Sequence, residues 1–187
     1  MRFEKVSFDQ FKTDFIDAYK HFNLGMVLDF YFFERIEEKG LRLTTIAENI
    51  YHDLVKPRRS TIGSAGYDFF YPIDLHIPEN ITVKIPTGIA WNPGDQTDTV
   101  LSIYPRSSLG IKYSLREPNV VSIIDSDYYG CEQNGGHIFV CLRNEGTSGA
   151  CHIKAGVAYC QGIITRYLIT DDDNTTATRI GGIGSTT

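Results

Sequence analysis

The sequence has no excess of basic residues. Lysine and arginine number 18 against 23 aspartates and glutamates, for a formal net charge of −5. A chain so balanced has no electrostatic footprint for nonspecific nucleic-acid binding. Any phosphate it binds must be met by local arginine or lysine, backbone amides or a metal. No apolar run approaches the length of a membrane span, and Met1-Arg2-Phe3-Glu4-Lys5 does not open a signal peptide. There is no Cys-x-x-Cys: Cys131, Cys141, Cys151 and Cys160 are spaced too widely and evenly for a zinc knuckle and read as reduced core thiols. These absences predict a cytoplasmic protein with neither nucleic acid nor membrane as partner.

What is present divides the chain in three. Residues 1–55 read as a helical addition after a short strand near residues 2–6. Ser7 followed by Gln10 is a capping-box signal, and Phe8, Phe11, Phe15, Ala18, Tyr19 and Phe22 recur at helical spacing. Residues 26–39 read as a second helix or a strand, and residues 45–54 as a short third helix. Pro57 marks a boundary, with Arg58 and Arg59 as a solvated linker. Between residues 56 and 170 the pattern changes to short strands at 67–71, 81–85, 88–92, 99–104, 120–124, 137–142, 151–154 and 159–168, separated by turns such as Asn92-Pro93-Gly94-Asp95. Many strands without intervening helices predict a β-sandwich or barrel. Residues 171–187 form a polar arm ending in Arg179-Ile180-Gly181-Gly182-Ile183-Gly184-Ser185-Thr186-Thr187.

One stretch organises the rest. The apolar run Val120-Val121-Ser122-Ile123-Ile124 ends in Asp125-Ser126-Asp127-Tyr128-Tyr129-Gly130. A β-branched run predicts a strand, and the Asp/Gly segment predicts a tight turn. Asp125 then stands where a buried strand opens, and partial burial would raise its pKa towards the range of a general base. The same pattern also suits a plain capped turn.

Four further segments supply polyanion chemistry. Ser64-Ala65-Gly66-Tyr67-Asp68 and Tyr104-Pro105-Arg106-Ser107-Ser108-Leu109-Gly110 precede the organising stretch, and Gly156-Val157-Ala158-Tyr159-Cys160-Gln161-Gly162 and the arm follow it. Together they offer carboxylates, two arginines, hydroxyls and glycine amides, the groups that meet a triphosphate.

In this order and spacing the five segments resemble the five motifs of the all-β dUTPase family. The resemblance covers about residues 56–187. It implies a jelly-roll fold, a homotrimer whose active sites each draw on three subunits, and hydrolysis of dUTP to dUMP and pyrophosphate. It implies Mg²⁺ held mainly by substrate phosphates and water, with Asp68 nearby. Asp125 would activate the attacking water, with Asp68 and Gln161 completing the catalytic set. Asn119 would bond the uracil edge beside Ile124, and Tyr128 would pack under the deoxyribose. Arg106, Ser107 and Ser108 would hold the phosphates, Gln161 would hold phosphate or metal-bound water, and Arg179, Ile183, Gly184, Ser185 and Thr186 would close over the nucleotide.

Three positions depart from the family pattern. Ile183 stands where an aromatic usually covers the base, Ser108 replaces a glycine, and Ala158 replaces an arginine. A related reading is dCTP deaminase, but no acidic residue lies between His137 and Asn144, where its catalytic glutamate would fall. Another is a nucleotide-gated binding module whose N-terminal helices dock a protein partner.

Overall fold

In a computed structural model the chain is described at residues 1–28, 43–147, 149–179 and 181. Two four-stranded antiparallel sheets form a jelly-roll sandwich. One has the order β1 (Arg2–Lys5), β4 (Thr82–Asn92), β8 (His137–Asn144), β6 (Leu115–Arg116). The other has the order β2 (Tyr67–Phe70), β10 (Ala158–Arg166), β5 (Thr99–Pro105), β7 (Ser122–Asp125). A small ladder joins β3 (Leu75–Ile77) to β9 (Cys151–Ile153). Alternating apolar residues fill the interior: Val83 and Ile85, Ile138, Val140 and Leu142, and Leu101 and Ile103 are all fully buried. Each such burial contributes about 1.5–3 kcal/mol.

The N-terminal helices share this core. Helix α1 (Phe8–His21) is capped by Ser7, whose Oγ accepts from the Gln10 amide at 3.2 Å. The reciprocal half of the capping box is missing, because Gln10 Nε2 donates instead to Asp14 at 2.8 Å. Phe11, Phe15 and Ala18 form the buried stripe; Phe22 does not join it, but lies partly exposed under the Lys84 ammonium. A single turn, α2 (Leu24–Val27), follows, and most of the helix expected at residues 26–39 lies outside the described residues. Helix α3 (Leu43–Asp53) packs Tyr51 on Phe8 and Phe11. Phe11 and Leu54 both press on Gly88, where a Cβ would meet Leu54 Cδ1 at 2.1 Å. Strand β1 pairs along β4, with Phe3 opposite Trp91.

The structure alters four local readings. The strands expected at 81–85 and 88–92 are one strand, because Pro86-Thr87-Gly88 forms an irregularity within it rather than a turn. Thr87 Oγ1 donates to the Ile138 carbonyl at 2.7 Å, and the Gly88 amide donates to His137 Nε2 at 2.8 Å, so the strand is held through the break. The strand expected at 120–124 begins only at Ser122: Val120 has φ +68° and its amide bonds the Glu117 carbonyl at 2.9 Å. There the local turn overrides β-branched propensity. Ser107–Tyr113 is a short helix, α4, closed by Ser114 at φ +52°. Arg58 is no free linker, since it exchanges backbone hydrogen bonds with Asp68 at 2.9 and 3.3 Å.

Candidate active site

The sequence-predicted residues gather in two clusters. The first lies where β2, β10 and the end of β5 meet. Gln161 pairs with Asp68 on one side and Tyr104 on the other. Asp68 is buried; its Oδ1 accepts from Arg106 Nη1 at 2.5 Å and its Oδ2 from Ser60 Oγ at 2.6 Å. The Arg106 amide donates to the Tyr159 carbonyl at 3.3 Å, which seats the arginine beside β10. Gly66 must lack a side chain, because a Cβ there would stand 2.5 Å from Gln161 Oε1. Ser107 and Ser108 are exposed on the first turn of α4. Arg106 and Ser107 line a cleft of about 420 Å³ together with Tyr104, Leu115, Glu117 and Val120.

The second cluster lies at the end of β7. Asp125 closes the strand, and a single 3₁₀ turn, Ser126–Tyr128, follows. Arg179 folds back here: Nη2 bonds Asp125 Oδ2 and Nε bonds Asp127 Oδ1 at 2.8 Å. The guanidinium also stands 5.8 Å over the Tyr128 ring. The Asp125 side chain is 49% exposed, half buried at the strand's end, with Arg179 on its open side. Ile124 is buried behind it. Tyr128 is also buried, and its hydroxyl donates to the His137 carbonyl at 2.7 Å and accepts from Asn134 Nδ2 at 2.7 Å. Burial pushes the Tyr128 phenol up to about 12, against the opposing pull of Asn134, so it is neutral at working pH.

Asn119 is exposed in the connection between β6 and β7. Those two strands belong to different sheets, so the arms of this hairpin splay apart. Ile183, Gly184, Ser185 and Thr186 lie outside the described residues. Among the described residues no group of three or more His, Cys, Asp or Glu stands ready to hold a metal. Both oxygens of Asp68 are already engaged. The described residues thus offer no carboxylate cluster that would hold Mg²⁺ by itself.

Sequence reasoning missed Glu117. It is 5% exposed; Ser122 Oγ bonds its Oε1, while Oε2 has no hydrogen-bond partner among the described residues. It acts electrostatically on Cys141 and Cys160, whose thiols burial pushes up. Its only sequence signal is a glutamate two places before Asn119. Burial raises the Glu117 carboxyl above the usual 4.5, partly offset by Ser122. With the folded pKa above the unfolded one, its contribution to stability is complete below pH 4.5 and is lost as pH rises through the folded value. Melting temperatures across this window should therefore fall more in the wild type than in Glu117→Gln, and parallel profiles would contradict the assignment.

Comparison with known proteins decides the family. The dUTPase family model matches residues 53–187. The chain belongs to the dUTPase family. The deoxyuridine 5'-triphosphate nucleotidohydrolase of Lactococcus lactis is 37% identical over 132 residues, covering 70% of this chain and 86% of that protein. The crystal structure of a dUTPase from Streptococcus mutans superposes with a TM-score of 0.55 at 32% identity, covering 64% of this chain and 97% of that one. The D95N mutant of the dUTPase from phage phi11 of S. aureus, whose structure gives the coordination of a structural Mg(II) ion, shares the fold at 15% identity with a TM-score of 0.51, over 66% of this chain and 91% of that one. Residues 1–52 thus precede the part this dUTPase shares with the family model.

Proposed function

We propose that this chain hydrolyses dUTP to dUMP and pyrophosphate, with Asp125 as the base that activates water for attack on the α-phosphorus. The observation that carries the reading is a half-exposed carboxylate at the end of β7 with the neutral ring of Tyr128 beside it. A nucleoside laid along β7 would place its base at the splayed hairpin near Asn119 and its sugar at Tyr128. The phosphates would then extend beyond Asp125. Asp68 and Gln161 would order the water and the Mg²⁺ that enters with the triphosphate, and Mg²⁺ would supply neutralisation of charge on the leaving pyrophosphate. Arg106, Ser107 and Ser108 would grip the chain of phosphates. Arg179 would move from Asp125 to the nucleotide, and Ile183, Gly184, Ser185 and Thr186 would follow it.

The site is shared between subunits of a homotrimer. What supports this is register: Asp125 lies opposite Val100, whereas Arg106 follows the far end of β5. At the usual rise that is about 20 Å along the strand, much longer than a triphosphate. Such a span favours a site completed between chains, and closed cyclic symmetry can bring Asp125 of one subunit to Arg106 of the next. Residues 1–55, 56–170 and 171–187 would act as addition, catalytic jelly roll and arm of a cytoplasmic enzyme.

Turnover of dUTP, dCTP, dTTP and UTP, measured side by side with Mg²⁺, tests the reading. Release of dUMP and pyrophosphate from dUTP is expected. The extra methyl of dTTP should cost about 10–200-fold in kcat/KM. Ammonia release from dCTP, with no hydrolysis of dUTP, would overturn it.

A further inference from the structure

The proposed chemistry does not use the N-terminal addition, yet that addition bonds two neighbours of the Asp125–Tyr128 segment: Tyr129, which follows it, and His137, to which Tyr128 is tied. Glu4 on β1 accepts from the Tyr129 hydroxyl at 2.6 Å. Asp14 on α1 meets His137 Nδ1 at 2.6 Å. The imidazole is wholly buried. Its other nitrogen, Nε2, lies 2.8 Å from the Gly88 amide, which can only donate. Nε2 is therefore the acceptor and Nδ1 carries the proton, donating it to Asp14. The carbonyl of this same residue accepts from the Tyr128 hydroxyl. Asn134 braces the junction, bonding Tyr128 through Nδ2 and taking the Gly136 amide on Oδ1 at 3.1 Å.

We propose that Asp14 and His137 are positioning residues for Tyr128, through which helix α1 sets the shape of the sugar pocket. Asp14 lies outside the family-matched residues, so this support is supplied by the addition. Asp14 and the Gly88 amide hold the ring of His137 from opposite edges, which fixes the start of β8. That in turn fixes the carbonyl to which Tyr128 is tied. The ring of Tyr128 is thereby held at its hydroxyl end, and the face now under the Arg179 guanidinium is the one offered to the ligand once the arm moves. A hydrogen bond from the wholly buried imidazole to the half-buried Asp14 carboxylate suits such a task, because losing it leaves an N–H unpaired in a dry interior. The inference rests on Tyr128 packing under the deoxyribose, as proposed above.

The test uses the full chain and compares Asp14→Ala, Asp14→Asn, Tyr128→Phe and the Asp14→Ala/Tyr128→Phe double variant, with dUTP and UTP as substrates. Asp14→Ala should raise KM for dUTP and lower the dUTP/UTP ratio of kcat/KM, each about tenfold, with kcat nearly unchanged. Asp14→Asn keeps an acceptor for Nδ1–H and should restore both values. Tyr128→Phe frees the same ring and should move the ratio in the same direction, and the double variant should be no worse than the larger single effect. A lower yield or melting temperature of Asp14→Ala, with KM and ratio unchanged, would show a merely structural role and overturn the inference. If Tyr128→Phe shifts the ratio and Asp14→Ala does not, the coupling fails while the role of Tyr128 stands. If neither shifts it, the role of Tyr128 fails and takes the coupling with it. Should Asp14→Ala not fold, Gln10→Ala removes the other donor to the same carboxylate oxygen; a smaller shift in the same direction supports the inference, and none overturns it.

Discussion

Asp125→Asn should lower kcat by about 10²–10⁴, the range for loss of a general base, while nucleotide affinity stays within a few-fold. The substitution keeps the size and the half-exposed position at the end of β7. It removes only the charge that accepts a proton. Asp127 is the rival, and geometry explains why spacing alone does not separate them: both carboxylates reach the one guanidinium of Arg179. They differ in backbone setting. Asp125 ends a strand hydrogen-bonded to β5, whereas Asp127 lies in the 3₁₀ turn beyond it. Asp127→Asn should therefore act mainly through Arg179, weakening nucleotide binding more than the chemical step. Single-turnover kinetics with a binding titration for each variant checks this. Near wild-type turnover in Asp125→Asn, beside an Asp127→Asn protein that binds without hydrolysis, would reverse the assignment.

Arg106→Ala should be damaging twice over. Asp68 is 3% exposed and Arg106 provides its cation at 2.5 Å. Among the described residues, removing the arginine leaves a buried carboxylate bonded by Ser60 alone, a loss of about 1.5–3 kcal/mol in stability. If Arg106 holds the phosphates as proposed, the same change also removes that donor, which should cost about 10²–10³ in kcat/KM. Arg106→Lys separates the effects. It restores the charge and much of the stability, but not the planar donor fork, so activity should stay low. Thermal melting and steady-state kinetics on the two variants read both quantities. Full activity in Arg106→Lys would mean that charge alone is used. Full activity in Arg106→Ala would remove the first cluster from the phosphate site.

Much of this protein was legible in its sequence because the signals are local. Ser7 before an aromatic stripe specifies the start of α1, and alternating β-branched residues specify β5, β8 and β10. The five segments quoted above specify the family, since each turn chemistry needs its own residues in order. Strand ends and short elements were less legible: β3 and β6 are too brief to show a period, and Pro86-Thr87-Gly88 imitates a turn that long-range bonds from His137 and Ile138 convert into a break within β4.

The site divides in the same way. Asp125, Asp68, Arg106 and Gln161 could be named as candidates from their motifs, but not their distances. Only the register of β5 against β7 and β10 separates them into two clusters at opposite ends of a strand. Only folding back of the arm puts Arg179 on Asp125 and Asp127. Asp14 and His137 are 123 residues apart and carry no shared motif. Their pairing exists because α1 covers the outer side of β4 at the point where Gly88 leaves room for Phe11 and Leu54. Local periodicity determines which residues face inward, whereas the contacts between distant faces depend on how whole elements stack, and that is decided only when the core closes.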